Sequence, residues 1–380
     1  MPNPHNILVI RLSSLGDVLM SMPAVAAIRN TFEKAHISWL VEGSVGQLLS
    51  HQDFIDNVIE FPRHNIVRAF RKSDPIRGIR EINAFVKRLR EVDYDIVADF
   101  HGIIKSAIFS MLAKGKRRIG FGKMYAKEKS HLFYGEKITA NDKRMHKVER
   151  NMLIARYLGA KDDIPKVSLK LPDNFDAYID AFFSNEGITG RVFAVNPFSS
   201  QSGLYKRWGM KQYGEVIRRI NNDIGAKVLI LWGPGEKKEA EHLRRLSDNR
   251  AILSCPTDVP QLFALLKRID MYIGGDTGVM HLAAFADCPV VAVFGPTDVN
   301  INAPYSNNCT IVRKDISCSP CKNKDCKDKK CLTGITSDDV FEAILEKYSN
   351  MHGAASGLKG GGTTRNSKKI NENKGSNLRI

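Results

Sequence analysis

The chain has 380 residues, 43% of them hydrophobic and 26% charged, the balance of a water-soluble protein long enough for two domains of ordinary size. No apolar run approaches the ~20 residues of a membrane span, and Met1-Pro2-Asn3-Pro4-His5 ahead of a short strand is no signal peptide, so a cytoplasmic protein is expected. The net charge of +16 is uneven: residues 1–185 hold 29 Lys/Arg against 21 Asp/Glu, and 101–150 alone hold 13 against four, which points to an anionic partner such as nucleic acid, lipid headgroups or an acidic substrate.

The chain opens on "NILVIRLSSLGDVLMSMPAVAAIRNTF" (residues 6–32), an apolar strand that turns through Ser13-Ser14-Leu15-Gly16-Asp17 into a helical period. That is the layout of a phosphate-binding βα unit, yet neither G-x-G-x-x-G nor a Walker Lys-Ser/Thr pair is present, and the turn carries a carboxylate. Pro23 can open the regular helix and leave 14–21 as an irregular turn. Further strands are predicted at 36–41, 57–61 and 94–99, with helices at about 23–32, 76–91 and 103–113. After "KRRIGFG" (residues 116–122) comes a basic, less regular stretch, then a helix that Gly159 closes. Residues 160–175 lose periodicity and gather Pro and Asp, marking a linker.

The second half repeats the alternation. Strands at 191–196, 227–232, 270–274 and 290–294 are interleaved with helices at 210–222 and 259–268, and with helices after Glu236 and around Thr277. Buried β-branched runs between helices argue for two parallel, doubly wound sheets, whose ligands sit at strand carboxyl ends. From about residue 354 the chain is rich in Gly, Ser, Asn and Lys and is expected to be disordered.

Three places carry candidate chemistry. In "GGDTGVMHLAAFA", Asp276 or Thr277 caps a helix whose free N–H groups and dipole attract phosphate, and His281, four residues after Thr277, leans back toward the same place. Lys206 and Arg207 follow a strand end and can neutralise a departing diphosphate. Asp17 has two readings: a helix cap, the commoner role for Asp after a turn, or a base that takes the proton of an attacking hydroxyl. A helix N-terminus lowers an Asp pKa and so works against the second role.

At these residues the chain resembles the family 9 glycosyltransferases, the ADP-heptose:lipopolysaccharide heptosyltransferases, through "ILVIRLSSLGDVLMSMPAVAAI", "DFHGIIKSA", "KRW" and "GGDTGVMHLAAFADCPVVAVFGPTD". The similarity runs in order from about residue 6 to 347. It implies an α/β, B-type glycosyltransferase fold, with two Rossmann-like doubly wound domains facing a cleft. The first (1–160) would bind acceptor, a linker region (161–190) would follow, the second (191–351) would bind nucleotide sugar, and 352–380 would form a disordered basic tail. The resemblance further implies inverting, metal-independent heptose transfer from a nucleotide diphosphate donor, with no cofactor required. On that pattern Asp17 matches the general base and Lys206 the lysine that stabilises the leaving diphosphate. Asp276, Thr277, Gly278 and His281 match the donor-binding block, with Ser14 and Gly16 shaping the turn beside it. His101, Gly102, Lys105 and Ser106 match an acceptor-side segment that usually has Gln where this chain has His101.

An inner-core lipopolysaccharide acceptor in an anionic leaflet would account for the basic first half, and peripheral, salt-sensitive association with the inner membrane is expected. Four of the seven cysteines, Cys318, Cys321, Cys326 and Cys331, fall within 14 residues and could hold a structural zinc. The rival readings are the same fold with another nucleotide sugar, a nucleotide-sugar-binding protein without turnover, and a nucleic-acid-binding protein. The last is disfavoured, because the basic stretches lack interleaved aromatics or a recognised binding module.

Overall fold

Along the first strand, β1 (Asn6–Ile10), every side chain from Ile7 onward is buried, and successive residues serve opposite layers: Ile7 and Val9 one core cluster, Leu8 and Ile10 another. That is the alternation of a strand covered on both faces. The computed structural model describes residues 4–321 and 323–352. In its first half β1 is joined by β2 (His36–Val41), β3 (Asn57–Glu60), β4 (Asp93–Asp99), β5 (Lys114–Phe121) and β6 (Glu136–Ile138) in a parallel sheet of order β3-β2-β1-β4-β5-β6. The helices of this half are α1 (Leu15–Leu19), α2 (Met22–Thr31), α3 (Val45–Leu49), α4 (Arg63–Arg71), α5 (Pro75–Leu89), α6 (Ile104–Leu112) and α7 (Lys147–Tyr157).

After α8 (Asn174–Asn185) the second half repeats the plan. Its strands are β7 (Val192–Asn196), β8 (Lys227–Ile230), β9 (Ala251–Leu253), β10 (Met271–Gly275), β11 (Val290–Val293) and β12 (Cys309–Val312), in the order β12-β11-β10-β7-β8-β9. Its helices are α9 (Met210–Arg219), α10 (Lys237–Leu246), α11 (Val259–Leu266), α12 (Gly278–Phe285), α13 (Val299–Asn302), α14 (Lys330–Thr333) and α15 (Ser337–His352). Both sheets thus place their first strand beside their fourth, β1 against β4 and β7 against β10. Strand order reverses there, opening a crevice at the carboxyl ends of those strands.

One apolar cluster runs from Ile28, Trp39 and Met152 of the first half into Phe263, Met280 and Phe294 of the second, so the inner layers are continuous. The outer layers are separate: Phe85, Leu89 and Phe109 cover the first sheet, and Tyr213, Leu243 and Phe341 the second.

The doubly wound α/β expectation holds, and several elements differ from the periodicity. Residues 15–19 form a helix where an irregular turn was expected: Val18 N donates to Ser14 O at 2.9 Å and Met20 N to Gly16 O at 3.0 Å, while Pro23 enters the second helical position of the separate α2. Strand β6 lies in the stretch read as irregular, and β5 just before it was not predicted, because its first five residues, "KGKRR", stay partly or fully exposed and carry no buried apolar period. Inside the expected linker, α8 forms around buried Ile179 and joins the continuous core. The tail expected to be disordered lies, beyond residue 352, outside the described residues.

Candidate active site

The two crevices face each other. After β1 the chain passes Arg11 and enters α1, which carries Asp17 in its first turn; β4 ends on Asp99, and the chain then turns through His101 and Gly102 into α6. In the second half, β7 leads through Pro197 and Ser199 to Lys206, and β10 leads through Asp276 to α12, whose cap is Thr277. Thr277 Oγ1 accepts from Met280 N at 3.4 Å, so Thr277, of the two candidates, makes the cap.

The starts of α1 and α12 touch through glycines. A Cβ on Gly16 would lie 2.6 Å from His281 Cδ2, and one on Gly278 would lie 2.9 Å from Leu15 Cβ and 3.2 Å from Gly16 N. Backbone cannot swing aside as a flexible side chain can. In an isolated helix, Gly278→Ala would gain up to about 1 kcal/mol of helix propensity; here the two halves must instead be pushed apart. The expected result is a fall in kcat of about a hundredfold, the scale of a 1 Å misplacement, with an unchanged circular-dichroism spectrum. Near-normal turnover would show that this approach is not required.

Asp17 does not cap its helix. Its Oδ2 lies 2.9 Å from Arg11 Nη2 and its Oδ1 2.7 Å from Lys147 Nζ, and Ser14 Oγ stands 3.4 Å from Oδ2. Burial pushes the Asp17 carboxyl up, but these two cations overcome it and hold it well below the usual carboxylate range. Arg11 is fixed in turn by donating to Phe100 O at 2.5 Å. Burial lowers Lys127, which also feels the charge of Asp17 and of Lys147, and it lowers Arg150 to about 10, with Arg11 adding to the fall.

His101 sits on the same side. Buried Asp99 holds its turn, accepting from His101 N at 2.8 Å, Gly102 N at 3.1 Å and Tyr134 Oη at 2.7 Å. Leu12 N donates to His101 Nδ1 at 3.3 Å, so the ring's proton rests on Nε2. Burial and the nearby Arg11 bring His101 down to about 3, which makes it a neutral donor at physiological pH. Lys105, in the first turn of α6, bonds Glu42 at 2.5 Å, and Glu42 also takes Arg63 at 3.0 Å.

Across the contact, Lys206 Nζ donates to Asp276 O at 2.8 Å and lies 3.1 Å from Asp276 Oδ2. Ser199, Lys206, Trp208, Gly275 and Thr277 line a small cleft here. Arg207, its partner in sequence, lines the same cleft, donating to Ser199 O at 2.6 Å while it pairs with Glu236 and Glu239. His281 is buried against Gly16, and burial brings it down to about 4, so it too is neutral. The start of α7 bridges both halves: Lys147 reaches Asp17, Arg144 pairs with Asp298 at 2.8 Å, and the His146 ring contacts Ala303 O at 3.0 Å.

Every residue singled out around Asp17, Lys206 and Thr277 therefore falls at one junction, with His101 and Lys105 on its first-half side. The sequence reading missed Arg11, Lys127, Lys147 and Arg150, the cations around Asp17. For Lys127, Lys147 and Arg150 the only sequence signal was the excess of basic residues in 101–150, which marks a sign of charge and no position, and Arg11 showed only as the residue that ends the first apolar run.

The four cysteines stand apart on one segment before and within α14, Cys318 exposed and Cys331 buried. Their thiols have zinc chemistry, and burial with the other three thiols raises Cys331. Among the described residues, however, no three His, Cys, Asp or Glu side chains are gathered as metal ligands. No helix of the described residues is long and apolar enough to cross a membrane.

Two doubly wound parallel sheets, with the carboxyl ends of their strands turned toward one junction, are the B-type glycosyltransferase fold. Residues 82–332 match the model of glycosyltransferase family 9 (heptosyltransferase), and the chain belongs to that family. It is 28% identical over 353 residues to lipopolysaccharide heptosyltransferase 1 of Escherichia coli (strain K12), covering 91% of this chain and 99% of that one. To the lipopolysaccharide core heptosyltransferase OpsX of Haemophilus influenzae it is 24% identical, over 81% of this chain and 84% of that one. Among solved structures, E. coli heptosyltransferase WaaC with ADP superposes with a TM-score of 0.70 at 24% identity, over 90% of this chain and 99% of that one. The E. coli ADP-heptose lps heptosyltransferase II gives 0.71 at 18%, over 92% and 100%.

Proposed function

We propose that this glycosyltransferase moves heptose from ADP-heptose to the lipopolysaccharide inner core at the cytoplasmic face of the inner membrane, with inversion and without a metal ion. The observation that carries the reading is the junction itself: Asp17 on one side, Lys206 and the Thr277 cap on the other, joined where Gly16 meets His281 and Gly278. In a single displacement the acceptor oxygen bonds to the anomeric carbon from one side while the bond to the diphosphate oxygen breaks on the other. Asp17 receives the hydroxyl proton. Lys206 and the N–H groups at the start of α12 take up the charge of the departing ADP, which is the work a metal ion does elsewhere. Asp276 orients Lys206, Ser14 and Gly16 shape the turn, and His101 Nε2–H and Lys105 meet the acceptor.

The low basicity that Arg11 and Lys147 impose on Asp17 fits this chemistry through those same partners. An acceptor bearing carboxylates or phosphates would compete for Arg11 and Lys147, and each cation drawn away returns basicity to Asp17. The base is thus armed by an acidic acceptor. The four-cysteine segment has no part in these steps, and a zinc ion there would be structural.

The test is a panel of nucleotide sugars with truncated lipid acceptors, assayed for release of nucleoside diphosphate. ADP release from ADP-heptose that depends on an inner-core acceptor is the expected result. Preference for another nucleotide sugar would overturn the donor assignment, and tight donor binding with no turnover for any acceptor would overturn the catalytic one.

A further inference from the structure

We infer, on the transfer reading proposed above, that Asp298 and Tyr305 of the second half are positioning residues for Lys147, and that Lys147 takes hold of an anionic group on the acceptor. Asp298 closes the stretch "GPTD" (residues 295–298) after β11, which has no part in the steps of the reaction.

Of the two cations on Asp17, Arg11 is 5% exposed and also bonds Phe100 O, so it stays with the carboxylate. Lys147 is 23% exposed, and Asp17 is its one ion-pair partner among the described residues. An anionic group arriving from solvent therefore meets Lys147 first.

Where Lys147 stands is set from the far half. Residues 139–146, which lead into α7, form no helix or strand. Tyr125 bonds Asp142 O from within the first half, but nearer to Lys147 the contacts cross the junction. Arg144 forks onto Asp298, Nε to Oδ2 at 2.8 Å and Nη2 to Oδ1 at 3.2 Å. A bidentate fork is the geometry in which an exposed ion pair holds a position. The His146 ring accepts from Val148 N at 3.2 Å and so caps α7; its proton rests on Nε2, which donates to Ala303 O at 3.0 Å. The Tyr305 ring lies 5.1 Å from that of His146, and its hydroxyl donates to Glu149 Oε1 at 2.8 Å. Lys147 is thus flanked on both sides by residues that the second half holds.

The holding residues form one small unit. Asp298 caps α13 by accepting from Asn300 N at 3.0 Å, and Ala303 ends that helix by donating to Val299 O at 2.9 Å. The body of α7 is fixed separately, because Asn151 donates to Met20 O at 2.8 Å and to Ser21 Oγ at 3.0 Å within the first half. Loss of the α13 contacts therefore frees Lys147 and its turn without detaching the helix. Acceptor capture is complete only when the two halves are docked.

The test is steady-state kinetics with ADP-heptose and an anionic inner-core acceptor, comparing Arg144→Met and Asp298→Asn with wild type. Arg144 has a side chain 58% exposed, and Asp298→Asn keeps a capping oxygen, so both variants should retain the wild-type circular-dichroism spectrum. Each is expected to raise the acceptor KM about tenfold, the scale of one hydrogen bond to a charged group, with kcat within about threefold and donor affinity unchanged. Arg144→Lys keeps the charge without the fork and should recover part of the loss. In a Lys147→Met background, Arg144→Met should change nothing further, because residues that act through one group are not additive. A bridge that only joins the halves would instead lower kcat and add its loss to that of Lys147→Met. Additive losses, or a normal acceptor KM in both variants, would overturn the proposal while leaving the transfer reading in place. Absent turnover in the wild type would overturn the transfer reading itself, and the role of Lys147 with it.

Discussion

Asp17→Asn should lower kcat by about 10³-fold or more, the range assigned to a lost general base, while ADP-heptose affinity changes little. The substitution keeps the size of the side chain and removes the one atom set that can take the proton. It also leaves Arg11, whose side chain is 5% exposed, without its carboxylate. An uncompensated buried charge costs about 3–5 kcal/mol, so a fall in thermal stability should accompany the kinetic loss. Two measurements keep these effects apart. Circular dichroism at the assay temperature reports whether the variant is folded, and titration of ADP-heptose by calorimetry reports whether the second half still binds donor. A folded, donor-binding, inactive variant is the expected outcome. A variant with near-normal turnover would remove Asp17 from the chemistry and leave it as an ion-pair partner of Arg11 and Lys147 alone.

Lys206→Met is the second large effect. Its Nζ is held by two contacts to Asp276, directly before the capped start of α12, and its side chain is partly open to the cleft. Loss of one preorganised group that stabilises developing negative charge costs about 10²–10³ in kcat, or 2.7–4 kcal/mol. The methionine retains much of the aliphatic stem, so packing should survive. Asp276 then loses its counter-charge, and donor affinity should fall as well, in contrast to Asp17→Asn. The pair of variants therefore splits the site: one loses kcat alone, the other loses kcat and donor binding together. If Lys206→Met turned over normally, the charge of the leaving group would have to be met elsewhere, and Arg207 is engaged with Glu236 and Glu239.

Much of this architecture is legible from local pattern. The run from Ile7 to Ile10 is apolar at every position, so a strand buried on both faces follows from it, and the repeated change from such runs to helical spacing implies parallel sheets. Pro75 marks the start of α5, and the Asp276-Thr277 pair marks the start of α12, because caps act within a few residues of themselves. Strand β5 was hidden for the opposite reason: it is held by pairing with β4, while its exposed Lys and Arg side chains give no apolar period of their own. Helix α1 was hidden because Pro23 suggested one helix start where the chain makes two.

Within the site, the sequence alone determined which chemical groups are offered: a carboxylate after β1, a lysine after β7, and a hydroxyl cap on a helix after β10. It also determined an α/β frame that carries all three to strand carboxyl ends. Only the tertiary structure decided their company. Lys147 comes to Asp17 from 130 positions away, and Gly16 meets His281 from 265 positions away, across two separate sheets. Periodicity and capping are short-range, acting over one or two turns of chain. The basicity of Asp17 and the closeness of the two halves depend on distances through space between charges and backbones remote in sequence, and those appear only when the sheets have packed.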